Sequence, residues 1–102
     1  MTDDVLFIDS FGERLDGFAA CSSAARAFHR LEPDCRVEVI EAFERAGTIM
    51  LRVNLEARDP RLRGLYLIGI KLRGNRVCEW QIHRRKPVPY SRVLRRESAS
   101  AA

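Results

Sequence analysis

The residue best placed for chemistry in this sequence is Asp9. It ends a short apolar run and has the same parity as Val5 and Phe7, so the three side chains share one face of a strand. If that face is the concave side of a sheet, removal from water makes the carboxylate a stronger proton acceptor, suited to abstracting a proton beside a carbonyl group. The other interpretation is a carboxylate that faces solvent or accepts hydrogen bonds from turn N–H groups, because Asp is common in turns.

The histidines and cysteines carry weaker signals. His29 is flanked by arginines on a helical segment, and His83 falls on the outward face of the last strand, so we expect both to be solvated. Neither has a second ligand at metal-binding spacing, and we expect no metal and no cofactor. Cys21, Cys35 and Cys78 are odd in number and widely spaced, which favours buried reduced thiols over a disulfide framework.

Length and composition indicate one ordinary globular domain. The chain has 102 residues, of which 46% are hydrophobic and 31% charged. It has no apolar stretch of membrane-spanning length, and its start lacks the basic region of a secretion signal, so we expect a cytoplasmic protein with no membrane contact. No phosphate-binding glycine-rich loop and no nucleophile elbow is present.

The net charge of +4 belongs to the C-terminal end. Six of the 18 Lys and Arg residues lie from Arg84 onward, against one acidic residue, Glu97, which leaves 12 basic and 13 acidic residues before them. The basicity therefore does not describe the domain surface, and we expect no nucleic-acid binding. Residues 87–102 lose periodicity and contain Pro87 and Pro89, so we expect domain 1–86 followed by a disordered basic tail, 87–102.

The chain alternates between helical and strand patterns. Apolar residues at three- and four-residue spacing predict a helix over Phe18–Leu31, with Asp16 capping its first turn. A short strand over Val5–Asp9 precedes it. Four strands of a meander follow, joined by short turns: Arg36–Arg45, Thr48–Arg58, Gly64–Arg73 and Arg76–Arg84. One helix on the apolar face of this sheet gives a two-layer α+β domain.

This order of elements, with DDVLFIDSFG at the start and LRGNRVCEWQIHR near the end, resembles the SnoaL-like and ketosteroid-isomerase-like proteins. They belong to the superfamily of nuclear transport factor two, with a cystatin-like fold, and the resemblance covers about residues 3–84. It implies a cone-shaped roll in which a curved antiparallel sheet encloses a pocket, here without the usual leading helices. It also implies that Asp9 occupies the position of the family's general base.

Other parts of the family's isomerase site are not matched. Such an enzyme stabilises an enolate with a tyrosine and a neutral carboxylic acid, and the resemblance puts Ile68 where the acid belongs. The family tyrosine precedes the first strand, where this chain has four residues. Tyr66, on the same strand face as Ile68, is either a compensating donor or a core residue with a satisfied hydroxyl.

The resemblance also predicts which residues line the pocket: Phe7, Phe18, Phe28, Val53, Tyr66, Ile68, Trp80 and Ile82. Such aromatic walls suit a flat apolar ligand. Without leading helices the concave face needs a cover, which can be a partner subunit, the tail folding back, or residues that precede this start. A homodimer is the working hypothesis, because the outer face carries Met50, Leu65, Leu67 and Val77.

Two functions follow from these observations. The first is binding of a small apolar molecule, extended to isomerase, cyclase or hydrolyase activity with Asp9 as general base. The second is a non-catalytic dimerisation or scaffold module. A cavity of a few hundred cubic ångströms that reaches Asp9 favours the first, and a filled core favours the second.

Overall fold

The computed structural model describes residues 1–84 and 89–100, with side chains as far as Glu97. In these ranges the chain forms six strands and two helices. The elements are β1 (Leu6–Ile8), β2 (Arg14–Asp16), α1 (Phe18–Leu31), β3 (Arg36–Arg45), β4 (Thr48–Glu56), β5 (Gly64–Arg73), β6 (Arg76–His83) and α2 (Tyr90–Ser100). The α+β class is confirmed. Neither helix of the described chain has the length and apolar character needed to cross a bilayer.

The six strands form one open sheet in the order β2-β1-β6-β5-β4-β3. Strands β3 to β6 form the predicted antiparallel meander. The expectation of an antiparallel sheet is wrong at one pair, because β1 runs parallel to β6, with Phe7 opposite Trp80. A parallel pair requires a long connection. Here α1 and four strands supply it, so the first and last strands are neighbours inside the sheet.

Helix α1 has the predicted bounds but not the predicted cap. Asp16 belongs to β2, pairs with Leu6, and makes no capping hydrogen bond to α1. Gly17 adopts a φ of 91°, a conformation that favours glycine, and turns the chain from β2 into the helix. The Phe18 amide then donates to the Asp3 carbonyl over 3.0 Å. A backbone carbonyl therefore satisfies an amide that the Asp16 side chain was expected to serve.

Residues Tyr90–Ser100 form helix α2, so the prediction of a disordered tail is wrong over this range. The helix packs against α1, and Tyr90 and Leu94, one turn apart, are 4% and 5% exposed. Two buried apolar side chains are too few to give a clear periodicity, and the helix depends on its tertiary contacts. The expected domain boundary between residues 86 and 87 lies outside the described residues.

Both helices lie on the concave face of the sheet. Register puts Val53 opposite Tyr66 and Leu51 opposite Ile68, so these side chains share the face that the helices cover. Strand β3 forms one edge of the sheet, where Val37 and Val39 remain 57% and 55% exposed. The core therefore lies between the helices and the central strands.

Candidate functional site

A cavity of about 540 Å³ lies between the two helices and the concave face of the sheet. Seven of the eight predicted pocket residues line it: Phe7, Phe28, Val53, Tyr66, Ile68, Trp80 and Ile82. Phe18 lies outside the lining and is 48% exposed. It begins α1, and its backbone amide donates to the Asp3 carbonyl of the N-terminal segment. The volume lies within the range of small-molecule sites.

Eight further residues complete the lining: Met1, Cys21, Ala24, Ala25, Val37, Leu55, Tyr90 and Leu94. Those on α1 and β4 follow from the helical and strand periodicities of the sequence. The only feature of the sequence that could have indicated Tyr90 and Leu94 is their four-residue spacing, which is typical of one helix face. Met1 and Val37 are exposed, so we place the mouth of the cavity beside them.

Two tyrosines of the lining, Tyr66 and Tyr90, bring their hydroxyls together. Tyr66 Oη lies 2.5 Å from the Leu62 carbonyl oxygen and 2.5 Å from Tyr90 Oη. Arg84 Nη1 donates to Tyr66 Oη over 3.0 Å. These contacts connect β5, α2 and Arg84, the residue after β6, at one point.

Arg84 is held in place by backbone carbonyls. Its two terminal nitrogens donate to the carbonyls of Arg61 and Arg63, and its guanidinium carbon lies 4.8 Å from the centroid of the Tyr66 ring. A cation over an aromatic face is attracted by the ring quadrupole. The Arg84 guanidinium therefore contacts both the ring and the hydroxyl of Tyr66.

Burial keeps both tyrosines protonated. It raises the pKa of Tyr66, an effect opposed by the hydrogen bond from Tyr90 and by the charge of Arg84. Burial also raises the pKa of Tyr90 far above its ordinary value, and the hydrogen bond with Tyr66 raises it further. Both groups therefore act as neutral hydroxyls at physiological pH.

Asp9 is 2% exposed and is not part of the cavity lining. Its Oδ1 accepts from the amides of Phe11 and Glu13 at 2.9 and 3.0 Å, within the turn between β1 and β2. Its Oδ2 accepts from the amide of Ser91 at 3.0 Å, in the first turn of α2. The parity argument gave the correct side of the sheet, but the N-terminus of α2 occupies the space in front of the carboxylate.

Three more contacts connect α2 to this turn and to the start of β2. The Ser91 hydroxyl donates to the Glu13 carbonyl over 3.3 Å, and Arg92 forms an ion pair with the Glu13 carboxylate. Arg95 Nη2 donates to the Arg14 carbonyl over 2.6 Å. A carboxylate at a helix N-terminus also interacts favourably with the helix dipole. Asp9 is thus part of the attachment of α2, the helix that carries Tyr90 and Leu94 to the cavity.

The remaining candidate residues are dispersed. His29 and His83 are exposed and lie outside the lining. Cys21 lines the cavity, and burial raises the pKa of its thiol, which contacts the Leu15 carbonyl at 3.6 Å. Within residues 1–84 and 89–97, no three His, Cys, Asp or Glu side chains are grouped closely enough to hold a metal ion.

Comparison with known proteins identifies the fold. No protein-family model matches the sequence, and no curated protein matches it. Among solved structures, a candidate polyketide cyclase from Sinorhizobium meliloti is 17% identical with a TM-score of 0.72, covering 81% of this chain and 74% of that one. A steroid delta-isomerase from Pseudomonas aeruginosa is 13% identical with a TM-score of 0.63, covering 99% and 73%.

The chain therefore has the cystatin-like fold of SnoaL-like and ketosteroid-isomerase-like proteins, and the resemblance is confirmed at the level of fold. A de novo designed protein with a curved β-sheet is similar to the same degree, 13% identical with a TM-score of 0.70, covering 98% of this chain and 76% of that one. A designed sheet of this shape shows that the fold alone does not assign a function.

Proposed function

We propose that this chain binds a small apolar molecule in the cavity between its helices and the concave face of the sheet. The observation that carries the proposal is a cavity of about 540 Å³ whose lining is almost entirely apolar and includes the tyrosine pair. Removal of apolar ligand surface from water supplies the affinity. A scaffold module with a filled core would not leave this space open.

Binding of the neutral fluorescent probe N-phenyl-1-naphthylamine tests the proposal. We expect saturable binding to the wild type and loss of binding in Ala24→Phe, which places a ring at a lining position of α1. Ala19→Phe is the matched control, because Ala19 is an exposed residue of the same helix outside the lining. Equal probe binding by the two variants contradicts a ligand in this cavity.

The names of the structural neighbours make proton transfer at a carbon beside a carbonyl the reaction class to consider. A general base needs a free oxygen within reach of the substrate, and both Asp9 oxygens accept backbone N–H groups outside the cavity lining. We therefore infer that the site binds its ligand without proton abstraction by Asp9. The isomerase, cyclase or hydrolyase role that the resemblance implies for Asp9 is untested, and these contacts argue against it.

Deuterium exchange into 1-tetralone tests that prediction separately. This ketone has enolisable hydrogens, and NMR follows their replacement in D₂O. We expect no acceleration over buffer by either the wild type or Asp9→Asn. Acceleration by the wild type that Asp9→Asn abolishes would restore Asp9 as general base, with or without the binding function.

A further inference from the structure

The direction of each hydrogen bond at the tyrosine pair is fixed by its partners. The Leu62 carbonyl can only accept, so Tyr66 donates its proton there. The Arg84 guanidinium can only donate, so Tyr66 Oη accepts from it. Tyr66 has no second proton, and the 2.5 Å contact with Tyr90 therefore uses the proton of Tyr90. Both hydroxyl protons are committed within the protein.

The Tyr90 oxygen differs from the Tyr66 oxygen in what it can still accept. Tyr66 Oη already accepts from Arg84 and Tyr90. Among the described residues, no donor is directed at Tyr90 Oη. A hydroxyl oxygen has two lone pairs, so the tyrosine pair offers an acceptor and no free proton to a ligand in the cavity.

We propose that the polar group of the bound molecule is a hydrogen-bond donor, a hydroxyl or an amine on an apolar body, which donates to Tyr90 Oη. The inference rests on the binding function proposed above and names the class of ligand for that site. It is opposite to the requirement of an enolate-stabilising site, where the protein must donate.

The preference follows from the hydrogen bonds that each ligand would break. An alcohol extends one chain from ligand to Tyr90, then to Tyr66, then to the Leu62 carbonyl, and every existing bond is kept. A ketone needs the proton of Tyr90, so the bond from Tyr90 to Tyr66 must break. The net worth of one such bond corresponds to about a five-fold difference in Kd.

Among the lining residues, only Trp80 has a side-chain N–H, and the strand register separates Trp80 from Tyr66. Trp80 lies opposite Ile70 of β5, four residues along that strand from Tyr66. Four residues of strand span roughly 13 Å. A polar group bound at Tyr90 therefore does not reach the Trp80 indole in a molecule of two fused rings.

Three ligands of one shape test the inference: 1-tetralol, 1-tetralone and tetralin, with binding followed by the fluorescence of Trp80, the one tryptophan of the chain. We expect the wild type to bind 1-tetralol about five-fold more tightly than 1-tetralone. Tetralin has no polar group, so its binding reports the apolar cavity alone.

Two variants change the preference in different ways. Tyr90→Phe removes the acceptor, so we expect the alcohol and the ketone to bind equally. Tyr66→Phe removes the acceptor of the Tyr90 proton, which is then free to donate, so we expect the preference to shift toward the ketone. A role of these tyrosines in packing alone would leave the preference for the alcohol over the ketone unchanged in both variants.

The outcomes separate this inference from the binding function. If tetralin binds but the wild type prefers the ketone or shows no preference, the inference is overturned and the binding function stands. If the wild type binds none of the three compounds, both are overturned. Where a variant no longer binds tetralin, the alcohol and ketone affinities of the wild type decide.

Discussion

Replacing Asp9 by Asn tests the structural role of this carboxylate most sharply. The amide side chain has the same size but one acceptor oxygen instead of two. Turning that oxygen toward the amides of Phe11 and Glu13 keeps two hydrogen bonds, and the NH₂ group then faces the Ser91 amide as donor against donor. Asp9→Asn therefore removes the bond to α2 and leaves the turn intact.

The cost can be estimated from the bond that is lost. A hydrogen bond to a charged group contributes about 1.5–3 kcal/mol, and loss of a helix-capping side chain costs about 1 kcal/mol. Ser91 is fully buried, so water cannot replace the missing acceptor. We expect Asp9→Asn to lower the free energy of unfolding by about 2 kcal/mol. For a chain of this length, the thermal midpoint should fall by about 10 °C.

Urea unfolding followed by Trp80 fluorescence measures this change, and amide hydrogen exchange at Ser91 reports whether α2 has loosened. Asp16→Asn is the matched control, because its carboxylate is 71% exposed and is paired with Arg14 at 3.1 Å. We expect the control to change stability by less than about 0.5 kcal/mol.

The opposite result would refute the reasoning. If the Asp9 carboxylate faced the cavity without partners, its replacement by a neutral amide would relieve a buried charge and leave stability equal or higher. Asp9→Asn matching Asp16→Asn, with unchanged exchange at Ser91, would show that Asp9 does not hold α2.

Three further predictions concern the same helix, the tyrosines and assembly. Leu94→Ala should lower the free energy of unfolding by about 2–3 kcal/mol, because Leu94 is 5% exposed. It should also weaken probe binding, because it enlarges the cavity beneath α2. A free energy of unfolding within about 0.5 kcal/mol of the wild-type value contradicts this. Burial raises the pKa of both Tyr66 and Tyr90 above 10.0 in the folded protein. The contribution of the protonated tyrosines to the free energy of unfolding is therefore complete below pH 10.0 and falls as the pH rises further, because the unfolded chain ionises first. In an absorbance titration, a tyrosine that ionises at its ordinary pKa in the folded protein contradicts this. The expected homodimer through the outer face, where Leu65 is 61% exposed, predicts twice the chain mass in light scattering, and a monomer across micromolar concentrations contradicts it.

The alternation and turns of the sequence were sufficient to predict the meander. In β4 every second residue from Ile49 to Leu55 is aliphatic, and the structure pairs the strand as expected with β5. Helix α1 was predictable because its apolar spacing covers four turns. Strand β2 was not, since three residues with one buried side chain, Leu15, give no periodic signal.

The site was predictable where it depends on strand parity and not where it depends on tertiary contacts. Parity gave the correct face for Phe7, Val53, Tyr66 and Ile68. It could not show that α2 would cover Asp9, because that helix depends on tertiary contacts, such as the bond from Ser91 to Asp9, 82 residues apart in sequence. The choice between a catalytic and a structural carboxylate depended on that one helix.

Methyl NMR with tetralin tests the central claim most directly. In protein labelled at its Ile, Leu and Val methyl groups, we expect saturable shifts and contacts to tetralin at Val53, Leu55, Ile68, Ile82 and Leu94, all of which line the cavity. The methyls of Leu65 and Leu67, on the outer face, should not respond. Absence of saturable shifts, or shifts confined to the outer face, would contradict a ligand-binding cavity.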